Sequence, residues 1–236
     1  MYRPLREELS MAPRNNGKPS SAKIIPFPLR PARTEQHRIL RVSPEYEGLC
    51  LLYAHHALSR DKLYAVKILA WARLANGQNA AILPWLNGVS RCVDLNDPHS
   101  GLAQGYYDPR TSRHFSETPP HHIAALDAMS QYPQNAGANI VQEIPDLIGS
   151  HAALLGDGQQ FLLEPVISWR LDTDGKLEAL VADLSLAHHS PILTNDECLY
   201  PVQQKTNFRY FFQYHIANQI KAGGQIATRA LSQLLT

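Results

Sequence analysis

Six of the eleven histidines in this 236-residue chain stand in adjacent pairs: His55-His56, His121-His122 and His188-His189. Neutral imidazole is the commonest metal ligand, so the count points first to metal chemistry. The spacing argues against it. Neighbouring side chains diverge on a helix or a strand, and one pair rarely gives two ligands to one ion. His-x-His is absent, and so is the HExxH spacing of zinc hydrolases. The densest run of chemically capable residues lies between 94 and 122, with Asp94, Asp97, His99, Tyr107, Asp108, Arg110, His114 and His121. Carboxylates, imidazoles and a phenol are the groups of general acid–base catalysis. A metal site there would have to gather His99, His114 and His121 with Asp94 or Asp97. The spacing does not require one, and the sequence leads us to expect no metal and no cofactor.

Other motifs fall short in identifiable ways. Asp172-Thr173-Asp174-Gly175 resembles the opening of a calcium loop, but position 12 is Asp183 where an EF-hand needs a bidentate Glu. A hairpin turn accounts for it better. Gly156-Asp157-Gly158 lacks the third glycine of a dinucleotide fingerprint. No Gly-x-Ser-x-Gly elbow supports the Ser150, His151 and Asp146 neighbours as a hydrolase triad. His215 falls within an apolar stripe and reads as a core histidine.

The elements that would position these residues centre on a segment that occurs twice. Ile68-Leu69-Ala70-Trp71 runs to Asn76-Gly77 and Ala81-Ile82-Leu83; Val166-Ile167-Ser168-Trp169 runs to Asp174-Gly175 and Ala179-Leu180-Val181. Asn-Gly and Asp-Gly between apolar runs predict two-residue type I′ hairpins. The hairpins are expected at about 63–86 and 160–184, with Trp71 opposite Ile82 and Trp169 opposite Leu180. Ser43-Pro44-Glu45 reads as a helix start, giving a helix over about 44–59. Thr118-Pro119-Pro120 opens another over about 119–132, with Ile123, Leu126 and Met129 on one side. Residues 133–159 and the stretch from 185 to Pro201 read as loop. Phe208, Phe211, Phe212, His215, Ile216 and Ile220 follow helical spacing, and Ile226, Ala227, Ala230, Leu231 and Leu234 form a second stripe, a C-terminal helical pair. The fold class is therefore α+β: an antiparallel sheet from two similar hairpins, covered by helices.

Charge and composition divide the chain. Residues 1–42 hold nine Lys/Arg against three Glu, while the remainder holds 13 against 18. With Pro4, Pro13, Pro19, Pro26, Pro28 and Pro31, residues 1–37 form a flexible basic arm; 38–236 form a single α+β domain, for which the repeat permits a pseudo-twofold arrangement. Within the arm, Lys23, Phe27, Arg30 and Arg33 belong to an apolar and basic patch suited to a partner. Three isolated cysteines without CxxC suit a reducing, cytoplasmic setting, and no apolar run approaches the roughly 18 residues of a membrane span. The expected function is a non-enzymatic binding or adaptor protein whose arm contacts a protein partner. The alternative is an enzyme, metal-dependent in one version, with its site in the 94–122 loops. A third reading, less favoured, is nucleic-acid binding through the arm and Lys205, Arg209, Tyr210, Tyr214 and Lys221.

Overall fold

The structure is a computed structural model and describes residues 38–55, 59–84, 91–93, 103–131, 140–182 and 199–222. The arm, Asp94, Asp97, His99 and the stripe from Ile226 to Leu234 lie outside them. Strands β1 (Ile39–Pro44), β2 (Cys50–His55), β3 (Ser59–Lys67), β4 (Ala70–Leu74), β5 (Asn79–Leu83), β6 (Arg91–Val93), β7 (Ala103–Asp108) and β8 (Arg113–Phe115) lead to helix α1 (Pro120–Ala128). Strands β9 (Ile140–Pro145), β10 (Ser150–Leu155), β11 (Phe161–Asp172), β12 (Leu177–Ala182), β13 (Leu199–Pro201) and β14 (Phe208–Gln213) lead to helix α2 (Tyr214–Lys221). The pairing is antiparallel throughout the described ladders, and the class is mixed α+β.

The sheets follow one wiring. In the first half, β1-β4-β5-β6 is one sheet and β3-β2-β7-β8 another. In the second half, β9 and β12 flank the C-terminal part of β11, while β10 pairs its N-terminal part and carries β14. The 12 residues of β11 thus do the work that β3 and β4 share. Across the hairpins, Trp71 faces Ala81 and Trp169 faces Ala179.

Both pairings lie one residue from the expectation, and the turn explains the slip. Leu74 accepts from the Gly77 N–H, and Asp172 accepts from the Gly175 N–H. The loops therefore hold three residues, Ala75–Gly77 and Thr173–Gly175, with positive φ at the closing glycine and not at Asn76 or Asp174. That is a type I turn with a bulged left-handed glycine rather than a type I′ turn. Asp172, read as part of a hairpin turn rather than a calcium loop, spends its carboxylate on the Asp174 and Lys176 N–H groups.

Four further expectations are corrected. Residues 44–59 are not a helix: the Glu45 carboxylate takes the Glu47 and Gly48 N–H groups, and Gly48 turns the chain at φ +80 into β2. Residues 133–159 are not all loop, since β9 and β10 lie there, with Pro145, Gly149 and Gly156 at their ends. The buried side of α1 is His122 and Leu126, not Ile123, Leu126 and Met129. Phe208–Gln213 is strand rather than helix; Phe211 and Gln213 are buried at period-two spacing against β10. Tyr210 therefore lies on β14, and only Tyr214 and Lys221 share a helix.

Two cores result. Trp71, Leu49, Leu51, Ile68, Leu83, Tyr106 and Leu126 fill the first. Trp169, Leu154, Leu171, Val181 and Phe211 fill the second, which also takes in Val42, Ala70, Ala72, Leu74 and Ile82 from the opposite face of the first-half sheet. Helix α2 returns the contact: Ile216 enters the first core, and the Gln219 amide accepts from the Ala65 N–H and donates to the Ala65 carbonyl, both at 2.8 Å. Gln219 thereby seals the free edge of β3. Gln219→Ala leaves both Ala65 groups unpaired and is expected to cost about 2 kcal/mol, read as a lower urea midpoint with an unchanged slope.

His215, at the start of α2, is half-buried rather than a full core residue, and its Nε2 is buried without a hydrogen-bond partner. Burial first, and Lys67 second, push its pKa down to about 4. Between pH 6.5 and about 4 the unfolded chain binds a proton that the folded chain refuses, so stability falls as pH drops through that window, by up to about 3 kcal/mol. His215→Phe is expected to flatten this part of the stability–pH curve measured by urea unfolding.

Candidate functional site

The Trp in each half is held by a carboxylate that follows the first strand. Pro44-Glu45-Tyr46-Glu47-Gly48 and Pro145-Asp146-Leu147-Ile148-Gly149 form equivalent turns, both closing on a glycine with φ near +80 or +74. The Trp71 indole N–H donates to Glu45 Oε2 at 2.6 Å, and the Trp169 N–H to Asp146 Oδ1 at 2.9 Å. The acids' own N–H groups donate to Leu69 and Ile167, each two residues before its Trp. Each indole meets an aromatic edge-on at 4.8 Å, Tyr106 in one half and Phe211 in the other. These shared features are architecture: a buried indole N–H and a buried carboxylate satisfy each other.

What the first half adds is chemistry. The N-terminal turn of α1 brings His122 onto Trp71, ring centroids 4.9 Å apart, and His121 onto His122 at 4.1 Å. His121 Nε2 lies 3.3 Å from Glu47 Oε1, and His122 Nε2 lies 3.2 Å from Glu45 Oε2. The second contact is close but misaligned, so the buried His122 Nε2 has no hydrogen-bond partner. Burial lowers the pKa of His122; Glu45 opposes that shift and His121 adds to it. Arg110 grips the other Glu47 oxygen at 2.9 Å and also approaches Asp108 at 3.4 Å.

The expected cluster is only partly assembled. Arg110 and His121 converge on Glu47, with Asp108 behind Arg110. Asp108 lies on β7 and caps the next turn, accepting from the Arg110 N–H and the Thr111 hydroxyl. Burial disfavours its charge, but those hydrogen bonds prevail and hold its pKa below the ordinary value. Tyr107 faces His114 across β7 and β8. His114 engages the Gln104 carbonyl at 3.0 Å and lies over Gly105, where a Cβ would come within 2.5 Å of its ring nitrogen. Asp94, Asp97 and His99 are outside the described residues.

Glu45, Glu47 and His122 were missed. The offset-101 match of the two Pro-acid-x-x-Gly turns was the available signal for Glu45, and a helix assignment over 44–59 obscured it. Cys50 is buried, and desolvation pushes its thiol up to about 12, which removes it as a nucleophile. A shallow cleft of about 150 Å³ lined by Ile140, Arg170, Asp172, Lys176 and Glu178 mixes charges of both signs without an imidazole. No described helix is long and apolar enough to cross a membrane.

No family model, curated protein or solved structure matches this chain.

Glu45→Ala orphans the indole N–H and two backbone N–H groups and is expected to cost at least about 3 kcal/mol. Glu45→Gln keeps an acceptor and costs less. Denaturant unfolding followed by Trp fluorescence measures both.

Proposed function

We propose that the protein is a non-enzymatic binding protein, built from two related β-units, that takes an extended segment of a protein partner along the open edge of β11. The observation carrying this reading is the run Phe161, Leu162 and Leu163, which are 50%, 57% and 37% exposed. Among the described ladders, these residues pair only with β10. The register that matches Leu52 to Ala65 matches Ala153 to Leu163. The edge that Gln219 seals on β3 thus corresponds to an edge of β11 with no strand partner among the described residues. An exposed apolar run in which alternate residues turn N–H and C=O away from β10 is what β-augmentation uses: the backbone supplies affinity and the alternating side chains supply selectivity.

The basic arm, with Lys23, Phe27, Arg30 and Arg33, supplies a second, salt-sensitive contact to the same partner. A cytoplasmic setting fits the thiol usage. Panning extended peptides on the full chain is expected to enrich apolar strand-forming sequences. Leu163→Pro removes the outward N–H of an edge strand, a place that tolerates proline, and is expected to abolish peptide binding at an unchanged melting temperature. Removing residues 1–37 is expected to keep peptide binding and lose its salt dependence. Enriched peptides that bind Leu163→Pro as well as the parent would sink this reading.

A further inference from the structure

We propose that Glu47, His121 and His122 bind one divalent transition-metal ion of the zinc class. One ligand atom from each lies within 4.8 Å of the others. The His121–Glu47 pair, at 3.3 Å, already has the separation of about 3.4 Å that two ligands take around tetrahedral zinc with bonds near 2.0–2.1 Å. Two imidazoles and one carboxylate suit zinc, cobalt, nickel or copper better than magnesium or calcium, which prefer all-oxygen shells.

An independent observation points the same way. The His122 side chain is only 7% exposed, and its Nε2 makes no hydrogen bond although Glu45 Oε2, beside the cluster, lies 3.2 Å away. A buried polar atom left unpaired is costly, and an ion is the partner that would complete it. The surroundings favour a cation: the carboxylates of Glu45, Glu47 and Asp108 outnumber the single guanidinium of Arg110. Arg110 occupies one Glu47 oxygen and turns the other toward His121. His121 and Glu47 are half-exposed, which opens a path for the ion and leaves a coordination position for water or a ligand.

The second half acts as an internal control. It carries the same carboxylate–indole lock without this chemistry. Buried Ile148 stands where Glu47 stands in the first half, and α2 follows β14 with no counterpart to the histidine pair. The scaffold does not require Glu47, His121 or His122.

The test is calorimetric titration of Zn²⁺ into the full, tag-free chain after stripping with a chelator. One stoichiometric site is expected. His121→Ala and Glu47→Gln, both at solvent-facing side chains, are each expected to weaken it by at least the roughly 10-fold that even outer-shell partners are worth. Melting temperature without metal should be unchanged. His114→Ala serves as the control that leaves binding intact. No stoichiometric binding, or binding that survives both His121→Ala and Glu47→Gln, overturns the proposal.

Discussion

Everything described depends on one interaction, a carboxylate locked to a buried indole N–H immediately after the first strand of each half. A carboxylate in an apolar interior is stable only if its lone pairs are used, and an indole N–H there needs an acceptor. Glu45 and Asp146 meet both needs and also take the backbone N–H groups of the following turn. The lock fixes the direction in which β2 and β10 leave the turn. It fixes the depth of the tryptophan around which each core is packed, and in the first half it sets the carboxylate against which His122 lies.

The halves diverge where the lock leaves freedom. The first inserts β8 and α1 after β7 and gains an imidazole pair; the second runs from β14 straight into α2 and spends its helix on the first half. Gln219 imitates a neighbouring strand by pairing the N–H and C=O of a single residue, Ala65. Gln203 does the same on β12, accepting from Ala179 and donating to Leu177. Side-chain amides close sheet edges here in two places, on β3 and on β12.

How much was legible in the sequence follows from where information is local. The two Trp-to-Gly spans announced paired strands, because turn chemistry is short-range. Their register did not, since one residue more or fewer in the loop preserves the same dipeptide. The aromatic run at Phe208–Phe212 satisfies helical spacing and strand alternation together, and pairing with β10 decided between them. Proline and glycine at the ends of six-residue strands made β9 and β10 look like loop. The histidine pair was discounted because neighbours diverge along one element. That rule looks only along the chain; here Glu45 and Glu47, two residues apart on a facing turn, present one carboxylate to each ring.

The unbroken course of β11 has a mechanical meaning. A single strand that serves two sheets transmits tension between them, so the second half should yield as one piece. Between β3 and β4 the chain stays tied: Ile68 donates to the Leu49 carbonyl and Leu69 to the Ile82 carbonyl. In both halves the connecting residue is tied to the acid-bearing turn, Leu69 to Glu45 and Ile167 to Asp146, so tension carried along either path reaches that turn.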